Sequence, residues 1–436
     1  MAKNPLRLRM LALWLAGMTA AYPVFSQAPA SRTWTDVQNR KVEAAYGGMH
    51  GDSVLLKLPD GKTIPFPMER LSAEDQAFVK TQTSGAPAAT PPGPPAASEP
   101  PRTPIEKRIW PQTVEVPSRS IEIKMVTESA AERKYVYQSE GFEFSSQAKI
   151  AGSVMKEVAR TFEATRSLVN ALPWGIYCQP PPGTARFQAA LFESREDYVE
   201  AGGPPNSGGV YSTGDKVFKI PFQSLGLEKR GQTYFKSDFT SDTLIHEITH
   251  QMMDNYLAFL PMWIIEGTAE YTEMLPYKAG VFRADAHKSG LKDSFESWNG
   301  SVDLDGLERH FTMTRDQWQQ AAGTSSGMAT LYHRSQLLVY YFCHLDGDKK
   351  GTRFMKYLDA VHGEVAALRA FFADPRVEQL GGGRFRYPSD LKPPDMGDST
   401  APFKHLRILL DERSYEKLAA EIAEGYKSIG VKLMVR

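Results

Sequence analysis

Cysteine is almost absent from this chain, in which only Cys178 and Cys343 occur among 436 residues. Two cysteines do not make the disulfide framework on which many small secreted folds depend. Cys343 lies in the apolar stretch LLVYYFCHL, where a buried free thiol is common. The sequence therefore leaves open whether these two cysteines form a disulfide bond.

The chain also lacks net charge, because 51 Lys and Arg residues are balanced by 51 Asp and Glu residues. This balance gives no electrostatic footprint for nucleic acid or for an anionic membrane, and there is no long basic run. The composition, 42 % hydrophobic and 23 % charged, is that of ordinary globular proteins. A length of 436 residues is long for one domain and favours two.

Long hydrophobic runs are missing after the N-terminus, so no later segment is apolar enough to span a membrane. At the N-terminus, three basic residues precede the short apolar run 10–21, and a cleavage site follows at Ser26. The run is shorter than the roughly 20 residues that cross a bilayer. We therefore predict a cleaved signal peptide over residues 1–26 and a secreted or periplasmic protein without a membrane span.

Proline is concentrated in one stretch, since eight of the 30 prolines lie within residues 84–104. This stretch has almost no large apolar side chains and cannot bury a core, so it should run as an extended, semi-rigid linker. The predicted organisation is a signal peptide at 1–26, a small β-barrel module at 30–82, a Pro-rich linker at 83–104 and a large domain at 105–436.

The small module has the pattern of a β-structure. Its short β-like runs at 41–46, 52–58 and 62–66 are separated by glycine-containing turns, and the Asp-Gly pair at 60–61 is typical of a hairpin. A short helix is predicted to begin at Ser72. About 50 residues with this pattern predict a small twisted β-barrel, similar to a Src-homology-3 domain.

Four short motifs follow one another in this module: RTWT at 32–35, GD at 51–52, DGK at 60–62 and LS-x-ED-x-x-F at 71–78. In this order they resemble the first homology domain of the Sla actin-patch adaptors. The resemblance implies a module that binds a peptide or a cell-surface ligand. A stabilising spacer remains the alternative.

The large domain mixes strand and helix patterns. Segments typical of strands at 120–126, 134–137 and 141–144 precede an amphipathic helix whose apolar residues recur every four residues from Ile150 to Phe162. The expected fold class is α+β, with a mixed sheet packed against several helices. Further strands are predicted at 186–192 and 209–222, and further helices at 331–345 and 414–429.

The chemistry is concentrated in the segment TLIHEITHQMM, residues 243–253. On a helix, His246 and His250 are one turn apart on the same face, so both imidazoles can bind one zinc ion. Glu247 is rotated to the side, where its carboxylate can take the proton of a zinc-activated water as that water attacks a carbonyl. A catalytic site of this kind needs a third protein ligand.

The third ligand is expected after Pro261, which ends the first helix because proline supplies no backbone N–H. The next helix reads MWIIEGTAEY over residues 262–271. Two helices joined by a tight break pack antiparallel, which returns Glu266 to the metal. Glu270 lies one turn later on the same face and is predicted to accept a hydrogen bond from a ligand imidazole.

The segments HEITHQ and PMWIIEGTAEY together resemble those of gluzincin metallopeptidases, in particular the peptidase MA-like group related to the M-one aminopeptidases. The resemblance covers residues 191–345. It implies a thermolysin-like core in which His246, His250 and Glu266 bind Zn2+.

Two departures from known patterns bear on the ligands. The gap between the second histidine and Glu266 is shorter than in the aminopeptidases, so Glu270 and Glu273 remain substitutes for the third ligand. Met253 and Tyr256 stand where a metzincin has its glycine and its third histidine, which disfavours a metzincin site.

The helix 332–339 (YHRSQLLV) resembles the segment that carries the catalytic tyrosine of the aminopeptidases. By that resemblance, Tyr332 donates a hydrogen bond to the oxyanion of the tetrahedral intermediate. Arg334 and Ser335 replace the lysine-glycine pair of the family, and His333 is the competing donor. In the alternative interpretation, Tyr332 is only the edge of a core helix.

An edge strand is predicted at residues 208–211, which lead into 217–222. Such strands bind extended peptides by backbone pairing. The Gly-x-Met-Glu-Asn pattern that grips a free amino terminus is absent, which favours an endopeptidase over an aminopeptidase.

The predicted function is therefore an exported zinc metallopeptidase with Glu247 as general base and a peptide or protein as substrate. The alternative is a non-catalytic exported zinc-containing binding protein, which has no use for Glu247.

Overall fold

The computed structural model describes most of the chain after the predicted signal peptide. Residues 1–26 and most of the predicted linker lie outside the described ranges. The chain divides into two compact units, one within residues 22–98 and the other within residues 99–436. None of the described helices combines the length and the apolar character needed to cross a bilayer. The described residues are 32–38, 40–50, 53–58, 63–84, 99, 101–181, 184–231, 233–236, 241–298, 302, 304–381, 384–394 and 400–433.

The smaller unit is a four-stranded antiparallel sheet followed by a helix. Each strand pairs with the next along the chain, in the order β1-β2-β3-β4. Its elements are β1 (Arg32–Thr35), β2 (Lys41–His50), β3 (Ser53–Lys57), β4 (Thr63–Pro67) and α1 (Ala73–Ser84).

Trp34 lies at the centre of the small core, where it is 1 % exposed and donates its indole N–H to the carbonyl of Ala44. The buried carboxylate of Asp75 on α1 accepts hydrogen bonds from the guanidinium of Arg32 and from the backbone N–H of Thr35, each at 2.7 Å. A buried charge needs such partners. Asp75 therefore ties the helix to the first strand.

The larger unit contains both helices and strands, as the sequence predicts for an α+β chain. Its strands are β5 (Thr113–Glu115), β6 (Lys124–Ser129), β7 (Lys134–Gln138), β8 (Phe142–Ser146), β9 (Phe187–Phe192), β10 (Val210–Ser212), β11 (Val217–Pro221), β12 (Leu227–Arg230), β13 (Thr233–Lys236), β14 (Tyr277–Lys278), β15 (Val281–Arg283), β16 (Glu378–Gly381) and β17 (Arg384–Arg386). Its helices are α2 (Gly152–Ala171), α3 (Arg195–Glu200), α4 (Asp242–Met252), α5 (Met262–Met274), α6 (His287–Ser297), α7 (Leu307–Thr312), α8 (Arg315–Ala321), α9 (Ser325–His344), α10 (Thr352–Ala373), α11 (Leu406–Leu410) and α12 (Tyr415–Ser428).

Six strands of this unit form a mixed sheet in the order β10-β11-β9-β8-β7-β6. β8 and β11 run parallel to β9, whereas β10 pairs antiparallel with β11 at one edge. The buried face of α2 packs on this sheet, where the ring of Phe162 makes edge contacts with Phe142 and Phe144. The sheet thereby holds the edge strand β10 beside α4.

Helix α5 lies at the centre of the larger unit, because each of its residues from Met262 to Met274 is buried. It packs closely on α9 where Gly267 meets the backbone carbonyl of Ser335, which occupies the space that a β-carbon on Gly267 would need. This contact fixes the two helices that carry Glu266 and Tyr332.

Two local expectations differ from the structure. The first helix of the motif ends at Met252 rather than at Pro261, and the 3-10 helix Asp254–Phe259 follows, so the break before α5 is not tight. Tyr256 lies in this 3-10 helix, where it is 1 % exposed and its hydroxyl lies 2.9 Å from Nδ1 of His362. Of the predicted strand 120–126, only the residues from Lys124 onward form a strand. They are the beginning of β6.

Both cysteines are free and buried. Burial raises the pKa of the Cys178 thiol to about 12 and that of Cys343 still further. A thiol with such a pKa is hardly ever a thiolate near neutral pH, so these cysteines are inert core residues.

Candidate metal centre

The centre is formed where α4 faces α5. His246 and His250 lie one turn apart on α4, and their rings stand nearly perpendicular, with centroids 4.8 Å apart. One oxygen of Glu266 on α5, Oε2, lies 3.3 Å from Nε2 of His246 and 3.4 Å from Nε2 of His250. The structure thus brings together the three side chains that the sequence predicts as metal ligands.

These three ligands differ in how far solvent reaches them. The side chains of His246 and Glu266 are 1 % and 0 % exposed, whereas that of His250 is 12 % exposed. The centre is therefore closed on the α5 side and open on the side of His250. A catalytic metal needs such an open side for water and substrate.

The charges at this centre are strongly coupled. Burial by itself raises the pKa of the Glu266 carboxyl, but His250 and His246 more than offset it and bring the pKa to about 2. Burial lowers the pKa of His246, yet its carboxylate neighbours Glu266, Glu273 and Glu270 move it well above its ordinary value. The raised pKa of His246 shows that its surroundings are anionic and favour positive charge, and the lowered pKa of Glu266 shows that this carboxylate is ionised beside the histidines.

The other nitrogen of His246 faces two more carboxylates of α5. Nδ1 lies 3.0 Å from Oε2 of Glu273 and 3.5 Å from Oε1 of Glu270. The predicted partner of the imidazole, Glu270, is thus present, but Glu273 is the nearer one. Both face Nδ1 rather than Nε2, so in this arrangement neither substitutes for Glu266 as the ligand shared with His250.

Glu247 lies beside the ligands on α4 and is half-buried. Its Oε2 accepts a hydrogen bond of 3.1 Å from the backbone N–H of Tyr211, in the edge strand β10. Burial raises the pKa of the Glu247 carboxyl, although His250, His246 and this N–H act against the rise. A carboxylate with a raised pKa beside an open metal position is suited to take a proton.

Tyr332 and His333 on α9 occupy different surroundings. The ring of Tyr332 stacks on that of His246, with centroids 6.1 Å apart and planes 22° apart. The ring of His333 stacks instead on Trp298, at 4.0 Å. Of these two candidate donors, the structure places Tyr332 against a ligand of the centre and His333 against an aromatic ring of the neighbouring segment.

The Tyr332 hydroxyl is buried and makes no well-formed hydrogen bond within the described part of the chain. Burial and the negative charge of Glu266 hold the pKa of Tyr332 well above its ordinary value. The phenol therefore keeps its proton near neutral pH and can donate a hydrogen bond there.

The sequence does not predict the position of Glu273 beside Nδ1 of His246 or the effect of Glu266 on Arg315. Glu273 was considered only as a substitute ligand, although it lies seven residues after Glu266 and so on the same helix face. Burial lowers the pKa of the Arg315 guanidinium, and the charge of Glu266 acts against this fall. The available signal was a cation directly after the helix cap Thr314, where helices rarely place one.

The donor set fits zinc. Two imidazole nitrogens and one carboxylate oxygen are ligands that this ion prefers, and donors about 2.0–2.1 Å from the centre of a tetrahedron are about 3.3–3.4 Å apart. The two distances to Oε2 of Glu266 are 3.3 and 3.4 Å. The second oxygen of Glu266, Oε1, is buried without a hydrogen bond among the described residues. Buried carboxylates of this kind are stable when they bind a cation.

Comparison with known families bears on the smaller unit. Residues 25–86 match the family model of SLA1 homology domain 1. The resemblance of the small module to this domain is thereby confirmed. No curated protein matches the chain.

Proposed function

We propose that this protein is an exported zinc metallopeptidase of the gluzincin type, with His246, His250 and Glu266 as the metal ligands. The observation that carries the proposal is that Oε2 of Glu266 lies 3.3 and 3.4 Å from Nε2 of His246 and His250, with all three donor atoms within 4.8 Å of one another. Glu247 beside them distinguishes a catalytic centre from a structural one, because a structural zinc is closed by four protein ligands.

When bound, zinc supplies a Lewis acid that polarises the substrate carbonyl and lowers the pKa of water. The chain supplies the other elements of hydrolysis. Glu247 takes a proton from the attacking water and delivers it to the leaving amine, for which its raised pKa is favourable. Tyr332 donates its hydroxyl proton in a hydrogen bond to the oxygen on which negative charge develops. His246 is held in orientation by Glu273.

The edge strand β10 is the proposed binding surface for an extended peptide. Its outer edge does not pair with another strand of the described chain, and Tyr211 at its centre adjoins Glu247. A peptide added to this edge runs past the general base. An endopeptidase is favoured over an aminopeptidase, because the sequence has no Gly-x-Met-Glu-Asn motif to hold a free amino terminus.

The remaining assignments follow the same proposal. The mixed sheet with its antiparallel edge strand, together with α4 and α5, is assigned to a thermolysin-like core. The protein is assigned to the secreted or periplasmic space through its signal peptide, and the small module is assigned a peptide or cell-surface ligand.

The first test is the metal content of the mature chain, residues 27–436, measured by inductively coupled plasma mass spectrometry. We expect about one zinc per chain, a sharp fall in His246→Ala and Glu266→Ala, and no fall in Glu296→Gln, which removes an exposed carboxylate on α6. Hydrolysis of a peptide library by the zinc-loaded protein completes the test. Stoichiometric zinc without hydrolysis would support the non-catalytic binding protein instead, and absence of zinc after reconstitution would refute both.

A further inference from the structure

The larger unit contains a cavity of about 460 Å³ beside α2, which we call the α2 cavity. Its walls come from four separate segments, namely α2, the turn between β7 and β8, the segment that leads into β6, and the start of β9. It shares no lining residue with the metal centre. Pockets for small ligands measure roughly 300–1,000 Å³. The charged residues that line this one are Glu122, Lys124, Glu140, Glu163, Arg166 and Arg186.

One wall of the α2 cavity is held in place by a buried carboxylate. Glu163 on α2 is 4 % exposed and accepts hydrogen bonds from the hydroxyl of Ser139 at 2.8 Å and from the backbone N–H of Gly141 at 2.7 Å. Nε of Arg166 donates a third bond to it, at 2.9 Å. A buried charge is stable when several donors satisfy it. The turn between β7 and β8 is therefore fixed to α2.

The two arginines of the cavity differ in what remains of their hydrogen-bonding capacity. The guanidinium of Arg166 is engaged by two carboxylates, Glu163 and Glu140, each at 2.9 Å. Nε of Arg186 donates a 2.8 Å hydrogen bond to the carbonyl of Ser139. Its two terminal nitrogens make no hydrogen bond or ion pair within the described part of the chain, and neither is buried. Arg186 thus has an oriented guanidinium with both terminal nitrogens accessible.

Hydration of an ordinary surface arginine is the simpler explanation. The balance of charge in the α2 cavity argues for more than that. Glu140 and Glu163 are both paired with Arg166, so Arg186 and Lys124 are left against the single carboxylate of Glu122. Lys124 also forms no ion pair with another described residue. The cavity therefore holds about one positive charge in excess, on side chains that solvent reaches.

We propose that the α2 cavity binds a free carboxylate group, with Arg186 as its anchor. A planar guanidinium matches a carboxylate through two parallel hydrogen bonds, a geometry that lysine does not offer. The excess of one positive charge matches the single charge of a carboxylate, whereas a phosphate group carries about −1.5 to −2 near neutral pH. The carboxylate belongs either to a free amino acid, whose ammonium group Glu122 can accept, or to the C-terminus of a peptide.

Calorimetric titration of the mature chain, residues 27–436, tests this proposal. The protein is treated with a chelator, so that neither hydrolysis nor a carboxylate on zinc contributes, and the outcome does not depend on the proposed peptidase function. The probes are alanine, trialanine and acetyl-trialanine as free acids, the C-terminal amide of each, and inorganic phosphate. We expect at least one free acid to bind more tightly than its amide by about 10-fold or more.

Substitutions assign this preference to the cavity. Arg186→Gln should weaken binding of the preferred acid about 10- to 100-fold and leave the amide unchanged. Arg186→Lys should restore only part of the loss, because it keeps the charge without the fork. The matched control is Arg119→Gln, which removes an exposed arginine next to the lining residue Ser120 and should change the affinity less than about twofold.

Lys124→Gln is the substitution to use where Arg186→Gln does not fold, because Lys124 is exposed at the start of β6. It should weaken binding of the acid about two- to fivefold. Equal affinity for acids and amides, or no binding of any acid at millimolar concentration, would overturn the proposal. So would a preference for the acid that survives both Arg186→Lys and Lys124→Gln.

The probe that binds best identifies the source of the carboxylate. Tightest binding of alanine, weakened by Glu122→Gln, assigns a free amino acid. Equal binding of trialanine and acetyl-trialanine, unchanged in Glu122→Gln, assigns the C-terminus of a peptide. Tighter binding of inorganic phosphate than of every carboxylate would overturn the assigned ligand class.

Discussion

Nδ1 of His246 lies 3.0 Å from Oε2 of Glu273, and both side chains are almost completely buried. A carboxylate in this position fixes the ring orientation and the tautomer, so that Nε2 is left unprotonated for a metal. Glu270 lies at 3.5 Å from the same nitrogen. The shorter contact makes Glu273 the main partner of this ligand.

We therefore expect Glu273→Gln to lower the affinity for zinc about 10- to 100-fold, and Glu270→Gln to lower it less. The amide of glutamine keeps the size of the side chain but removes the charge that increases the basicity of the imidazole. Competition with a chromophoric chelator measures the affinity, and Glu296→Gln on α6 is the exposed control. A larger loss in Glu270→Gln would show that Glu270 is the main partner when the metal is bound.

Glu247→Gln tests the general base. We expect this variant to retain one zinc per chain, because Glu247 is not a proposed ligand, and to lose on the order of 10²–10⁴ in kcat. Metal content and initial rates are measured on the same preparation. A rate equal to that of the wild type would remove Glu247 from the proton transfer.

Tyr332→Phe tests the proposed oxyanion donor. The ring remains and can still stack on His246, so zinc content should not change, whereas loss of the hydroxyl should lower kcat about 10²- to 10³-fold with little change in KM. His333→Ala is the matched control from the next position, because His333 stacks on Trp298. A larger loss of kcat in His333→Ala than in Tyr332→Phe would reverse the assignment.

The ligand pair on α4 was predictable because its geometry is local. Two histidines four residues apart meet the same point on any helix, and Glu247 between them is fixed by the same rise and rotation. The pairing of Glu266 with these histidines is a tertiary contact. It is predicted from the break at Pro261 with antiparallel packing of the two helices and from the family resemblance, and the side-chain positions agree with it.

The remaining parts of the centre depend on packing that the sequence does not display. Which carboxylate of α5 meets Nδ1 depends on the rotation of that helix against α4, so the sequence predicts Glu270, whereas Glu273 is nearer in the structure. Local propensity predicts the helix break at Pro261, whereas α4 ends at Met252 and the following 3-10 helix carries the buried Tyr256.

Gly267→Ala tests the packing of α5 on α9. A β-carbon at this position overlaps the backbone carbonyl of Ser335, which has no flexible end that can move away. We expect the free energy of unfolding to fall by about 1–3 kcal/mol. Gly363→Ala is the matched control on α10, where the added atom meets no neighbour and a helical glycine is replaced, so it should stabilise by about 0.5–1 kcal/mol. Urea denaturation measures both, and an unchanged midpoint in Gly267→Ala would contradict the close contact.

The buried His310 predicts a loss of stability in mild acid. Its Nε2 lies 3.2 Å from the hydroxyl of Ser335, and burial together with the charge of Arg334 lowers its pKa to about 3 from 6.5. Between these two pH values the unfolded chain binds a proton that the folded chain does not. The free energy of unfolding is therefore complete above pH 6.5 and falls as the pH decreases towards 3, by up to about 1.4 kcal/mol per pH unit for this one proton.

Urea denaturation of the wild type and of His310→Gln at pH 7, 6 and 5 measures this effect. The variant should be less stable at pH 7, because it disturbs a buried site, but its stability should depend less steeply on pH, since the titrating group is gone. The difference between the two proteins should therefore narrow as the pH falls. Parallel pH profiles would contradict the argument, since they would show that His310 takes up its proton equally in the folded and unfolded chains.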